Sequence, residues 1–178
     1  SAMPGPQLTA AVAFSRAMRR ALPGASIVWG GYFPSQHAEV CLQDGTVDVC
    51  VVGQGELTLR DLARALARGD GPAGIPGLAY RDGGRVIRTP ARPLAALDAL
   101  PEWPYHRVPM PRYLPSHYLG RRVAAHHSSF GCPHACTFCA VVSIAKRRWV
   151  AESPARVGRA MDRLQRDYGV DAVQFHDM

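Results

Sequence analysis

Three cysteines fall within eight positions in SSFGCPHACTFCAV (128–141): Cys132, Cys136 and Cys139. The other two of the chain's five cysteines, Cys41 and Cys50, lie more than eighty residues upstream. Thiols crowded in this way have three uses. As free core residues they would all have to be buried, which the loop residues Gly131, Pro133 and His134 oppose. As zinc ligands they would form two overlapping pairs, whereas zinc usually takes its pairs from separate segments. The fourth zinc ligand would then be His126, His127 or His134. As ligands of an iron–sulfur cluster, thiolates at short intervals let one loop wrap a cubane. An electron-transfer cluster normally takes four cysteines. Three leave one iron open, and an open metal position is where substrate chemistry happens. The cluster reading is the favoured one.

The rest of the chain must position that loop. Its 178 residues suffice for one domain or two small ones, and 47% apolar against 20% charged residues argues against disorder. No apolar run reaches the length of a spanning helix and no signal-peptide pattern opens the chain. The five cysteines are an odd number and three sit too close to be ordinary bridge partners, so a reduced cytoplasmic setting is expected. The net charge of +7 is spread over amphipathic stretches such as SRAMRRAL and RDLARALARGD, which read as solvated helix faces. Only KRRW (146–149) is dense, and no nucleic-acid module accompanies it, so a nucleic-acid partner is not expected.

Helix and strand alternate in the first third. A helix over 8–22 carries Phe14, Met18 and Leu22 at helical spacing and ends at Pro23-Gly24. A strand over 25–31 runs into Gly30-Gly31, a short helix spans 37–45, and a strand over 47–56 runs into glycine. A helix over 56–69 places Leu59, Leu62 and Leu66 on one face. Glycines just after strands suggest parallel α/β layering, with ligands beyond the strands' carboxyl ends. Next, 77–89 reads as a hairpin turning at Asp82-Gly83-Gly84. Seven prolines between Thr89 and Pro115 then make an extended, semi-rigid connector. A strand over 121–129 leads into the cysteine loop, and a helix over 153–169 has Ser153 as N-cap, Pro154 in its first turn and Gly169 at its close. A strand over 170–178 follows. Cys50 and Cys41 read as packed thiols, and His126 and His127 as alternating structural residues, one facing in.

Cys132-x-x-x-Cys136-x-Phe138-Cys139, set after a strand in HHSSFGCPHACTFC, resembles the signature loop of radical S-adenosylmethionine enzymes. The resemblance implies that the three cysteines hold a four-iron four-sulfur cluster whose open iron chelates S-adenosylmethionine. One-electron reduction there releases a 5′-deoxyadenosyl radical. It further implies that Phe138 lies against the adenine, that Asp177 in VQFHDM faces the S-adenosylmethionine site, and that KRRW could meet carboxylates of cofactor or substrate. Upstream, IVWGGYFPSQHAEVCLQDGTVDVCVVGQGELTLRDLARAL resembles the latter half of a cobalamin-binding domain found ahead of such enzymes. Gly30, Gly31, Gly53, Gly55 and Glu56 match its strand-end turns, while its Asp-x-His-x-x-Gly motif is absent.

The expected architecture is therefore α/β. A partial Rossmann-like cobalamin-binding layer (1–75) is followed by a hairpin and proline-rich connector (76–119), then by the start of an incomplete radical S-adenosylmethionine (β/α) barrel (120–178), as in a fragment of a longer enzyme. The implied activity is methylation, ring formation or rearrangement of a small molecule, with a flavodoxin- or ferredoxin-type one-electron reductant as partner. Two alternatives stay open at this point: a cobalamin-independent enzyme of the same kind acting on RNA, and a non-catalytic α/β module whose loop is vacant or holds zinc.

Overall fold

A computed structural model describes residues 1–43 and 45–177. Asp44, in the helix expected over 37–45, and Met178, at the end of the strand expected over 170–178, lie outside the described residues. The chain forms two compact units, one of Ser1–Pro93 with Thr137–Ile144, the other of Leu94–Cys136 with Ala145–Met178.

The first unit runs α1 (Pro6–Ala21), β1 (Val28–Trp29), α2 (Tyr32–Gln36), α3 (Ala38–Leu42), β2 (Val49–Val51), α4 (Glu56–Ala67), β3 (Leu78–Asp82) and β4 (Arg85–Arg88). Its sheet has the order β1-β2-β3-β4, with β1 and β2 parallel and the other two pairings antiparallel. The hairpin, read from the sequence as the head of the connector, thus extends this sheet by setting Ala79 opposite Cys50. β2 is buried on both faces, which is why it reads as an unbroken apolar run. Cys50 faces a cluster with Trp29, Leu42, Val47 and Ala79, while Val49 and Val51 face Leu62 and Leu78.

Two helix faces differ from the sequence reading. In α1, Phe14 is 68% and Leu22 53% exposed, and Leu8, Ala11 and Val12 pack on the core instead. The indole of Trp29 decides this, because Nε1 donates to the buried Ser15 Oγ at 3.0 Å and turns that stripe inward. In α4, Leu62 is buried as expected, but Thr58 and Ala65 accompany it while Leu59 and Leu66 face out. Thr58 holds the register: its hydroxyl donates to the Pro76 carbonyl and accepts from Arg92 Nε.

The second unit begins with the connector, which has three single 3-10 turns (Leu97–Ala99, Tyr105–Arg107 and Met110–Tyr113) and, among the described residues, no α-helix or ladder strand. β5 (Val123–His126), β6 (Ser129–Gly131), α5 (Ala140–Ala145), β7 (Trp149–Ala151), α6 (Pro154–Tyr168) and β8 (Ala172–Phe175) follow. Most of α5 groups with the first unit. β5 and β8 are parallel neighbours joined through α6, the unit from which a (β/α) barrel is built, and no closed barrel forms among the described residues. α6 follows its local signals. Ser153 Oγ accepts from Arg156 N–H, Pro154 opens the helix, and Gly169 closes it at φ 62°. Leu164 packs with Met110, Leu114, Ala124 and Val170 to form this unit's core.

The connector is fastened, not loose. Asp98 accepts from Ser153 N–H at 2.9 Å, and the Leu100 and Pro101 carbonyls accept from the two terminal nitrogens of Arg156 at 2.7 and 2.8 Å. Glu102 pairs with Arg159 and Arg163, and Arg163 also donates to the Trp103 carbonyl.

Candidate functional site

β5 ends at His126, and after two residues the chain enters β6, whose last residue, Gly131, leads directly into Cys132. β7 runs back antiparallel, pairing Ser129 with Ala151, Phe130 with Val150 and Gly131 with Trp149. Residues 132–148 are therefore an excursion from a short two-stranded stem. Gly131 has φ 87°, and a Cβ there would crowd the Arg148 carbonyl and stand 2.9 Å from Ala145 Cβ. Only glycine fits that rung. All three loop cysteines are free thiols, with Cys136 exposed and Cys132 and Cys139 half-buried. Among the described residues no three His, Cys, Asp or Glu side chains converge where a single ion could sit.

Phe138, expected against an adenine, is 92% exposed. Lys146 and Arg147 close the excursion in left-handed conformations (φ 50° and 60°), and both, with Arg148, are exposed. Cys139 adjoins α2. Burial first, and then charge on Cys139, push the Tyr32 phenol up, and one turn on from each residue Gln36 Nε2 donates to Ser143 Oγ at 3.0 Å.

Asp177 lies two residues beyond β8, at the carboxyl ends of the parallel pair. One of its oxygens accepts from the Ser128 and Ser129 N–H groups at 2.6 and 2.8 Å, the other from the Ser128 hydroxyl at 2.6 Å. Partial burial pushes this carboxyl up, but these hydrogen bonds outweigh it and hold it below the usual range. A carboxyl lowered on folding stabilises the fold above its ordinary pKa, and that contribution is lost as pH falls through the folded value. Below about pH 4 the clip between Ser128 and Asp177 should therefore weaken. The protection of the Ser128 and Ser129 amides, taken relative to their intrinsic exchange rate at each pH, should fall on acidification, and Asp177→Asn should show the lower protection already at neutral pH.

Behind the stem lies a buried polar network. His126 Nε2 meets Glu152 Oε2 at 3.1 Å, and the Tyr105 hydroxyl meets Nδ1 at 3.1 Å. Arg156 Nε donates to Glu152 Oε1 at 2.8 Å. The carboxylate can only accept, so in the neutral ring Nε2 carries the proton and Nδ1 accepts from the Tyr105 hydroxyl. His127, the residue just beyond β5, is exposed, so one histidine of the pair faces in and the other out.

In the first unit the two glycine turns share one partner. The Ser35 hydroxyl donates to the Gly31 carbonyl at 2.7 Å and accepts from Gly53 N–H at 3.0 Å. Gly31 has φ 102°, and a Cβ there would meet Ser1 Oγ at 2.7 Å. Gly53 has φ 81° and open space where a Cβ would stand. Gly30 lies on Val51, Gly55 precedes α4, and Glu56 begins it. Cys41 and Cys50 are core thiols. Burial first, then Cys41, push Cys50 up to about 12, so it offers no thiolate near neutral pH.

The sequence reading missed Ser35, Ser128, Glu152 and Arg156. Glu152 and Arg156 stand at the i,i+4 spacing of an ion pair, which was the available signal. Reading the arginines as solvated faces hid it.

No family model matches the chain. Its fold matches that of the radical S-adenosylmethionine methyltransferase TsrM from Kitasatospora setae, solved with cobalamin and a [4Fe-4S] cluster bound. The TM-score is 0.70 at 22% identity, over 93% of this chain and 33% of that one. The chain thus shares its fold with part of that protein, in keeping with the α/β architecture expected from the sequence. By sequence the chain is 33% identical over 153 residues to an uncharacterized methyltransferase of Pyrococcus horikoshii, covering 85% of this chain and 33% of that protein. It is 30% identical over 162 residues to the anaerobic magnesium-protoporphyrin IX monomethyl ester cyclase of a Synechocystis species, covering 90% of this chain and 32% of that one. The chain spans about a third of the length of these relatives. No helix among the described residues is long and apolar enough to cross a membrane.

Proposed function

We propose that this chain is the cluster-bearing segment of a radical S-adenosylmethionine enzyme of the cobalamin-dependent kind, acting by methylation or ring rearrangement on a small molecule in the cytoplasm. The observation that carries the reading is the free Cys132, Cys136 and Cys139 on one loop beyond the carboxyl end of β5, in a fold shared with TsrM. The donor set fits a cluster: three accessible thiols, no disulfide and no acidic residue between Gly131 and Ala151. A cubane bound there would supply one electron, taken from a flavodoxin- or ferredoxin-type donor, to split the sulfonium of S-adenosylmethionine at its open iron.

The chain's own residues have definite tasks in this reading. The three thiols hold three irons. Phe138 offers an uncovered ring face for an adenine to lie on. Asp177, exposed and with acceptor capacity left beyond its serine bonds, can take the amino group of the cosubstrate. At Gly53 the open side lets a cobalamin approach the backbone, whereas at Gly31 the close approach is made by Ser1 and Ala2. Gly30, Gly55 and Glu56 flank these turns. The test is anaerobic reconstitution with iron and sulfide. The native chain should take up both, and a variant with Cys132, Cys136 and Cys139 replaced by alanine should take up neither.

A further inference from the structure

The network behind the cysteine stem holds no part of the cluster or its cosubstrate, yet it is the most buried polar group of the second unit. The side chains of His126, Glu152 and Arg156 are 1%, 3% and 8% exposed. Burying an ion pair is seldom the most effective route to stability, since apolar side chains of the same volume often serve as well. What such a network adds is direction. Glu152, the residue directly after β7, makes three ties at once: its N–H donates to the Ser128 carbonyl at 2.7 Å, and its carboxylate receives His126 and Arg156. Those ties close the base of a stem only three residues long on each side. A two-stranded hairpin of that size is marginal in water by itself. Arg156 carries the fixation on to the Leu100 and Pro101 carbonyls, and Tyr105 locks the far side of the imidazole.

We propose that Tyr105, His126, Glu152 and Arg156 form a clamp that positions the cysteine loop from its base and acts first on Cys132, one residue beyond Gly131. These are positioning residues, since none reaches the loop thiols directly. The purpose of the clamp rests on the cluster reading; its existence does not. In the metal-free chain the clamp keeps Cys132 partly covered while Cys136 stays open.

The test is alkylation of the reduced, metal-free chain by iodoacetamide, with the rate at each cysteine followed by mass spectrometry. Glu152→Gln keeps the shape, but its amide presents one oxygen and one NH2 group to two donors, so His126 or Arg156 loses its acceptor. We expect Cys132 to react several-fold faster in this variant, with Cys136 unchanged and the buried Cys41 and Cys50 still protected. Tyr105→Phe deletes one hydroxyl and should shift Cys132 in the same direction by less. Should the amides of the buried Ala124 and Leu164 lose their protection in Glu152→Gln, the core of the second unit has opened, and Tyr105→Phe then decides between clamp and no clamp by itself. A Cys132 rate at the native value in the folded variants would overturn the clamp. After reconstitution, the clamp predicts a broadened, heterogeneous cluster signal in the variants. If no variant and no native chain binds iron, the cluster reading fails while the alkylation pattern still decides the clamp.

Discussion

Replacing Gly131 by alanine is expected to unfasten the β6–β7 stem and lower the thermal midpoint of the second unit by about 10–20 °C. The reason is local and severe. A non-glycine residue held at positive φ costs about 1–3 kcal/mol, and here the added methyl also meets backbone, the Arg148 carbonyl, with Ala145 Cβ behind it. Neither neighbour is the flexible tip of a side chain, so relief requires parting the two strands. Gly158 is the internal control. It sits inside α6 with nothing near its missing Cβ, so alanine there should stabilise by about 0.5–1 kcal/mol through helix propensity. Thermal unfolding of the two variants should therefore move in opposite directions. A Gly131→Ala chain as stable as the native one would show that the stem does not close tightly at this rung.

Removing the cation from the buried network should cost nearly as much. Arg156→Met leaves the Glu152 carboxylate buried without its cation and strips the donors from two connector carbonyls. Breaking a buried pair in this way costs about 3–5 kcal/mol. Denaturant unfolding should report that loss, and amide exchange should show the segment from Asp98 to Tyr105 opening with it. The double variant Glu152→Leu with Arg156→Met should recover most of the stability, because an apolar pair replaces both charges at once. It should not recover all, since His126 Nε2 then lacks an acceptor, at about 1–3 kcal/mol. A loss below about 1 kcal/mol for Arg156→Met would mean the pair is solvated after all.

The parts of this molecule that were legible in the sequence are those whose signals are local. α6 was readable because Ser153, Pro154 and Gly169 each act within one turn, and the cysteine loop because glycine, proline and three closely spaced thiols stand there in one short run. Cys50 was readable as a core thiol from the apolar run around it. What escaped depended on partners distant in the chain. Phe14 and Leu22 share helical spacing with Met18, but the face of α1 is chosen by Trp29, which needs Ser15 as acceptor. α2 carries a proline and spans five residues, so it has no periodicity to detect; Ser35 matters because it joins two glycine turns. β6 and β7 are too short to alternate, and their pairing shows only in the space denied to a side chain at Gly131. Arg156 lies in a stretch dense with arginine, and only the fold distinguishes it from its solvated neighbours.

The central claim is that Cys132, Cys136 and Cys139 hold a cluster with one iron left for S-adenosylmethionine. Electron paramagnetic resonance of the anaerobically reconstituted, dithionite-reduced chain, with and without S-adenosylmethionine, tests it most directly. We predict a reduced four-iron signal that shifts when S-adenosylmethionine is added and is absent from the three-cysteine variant. A native chain that binds zinc and no iron, or an iron signal that survives loss of the three cysteines, would contradict it.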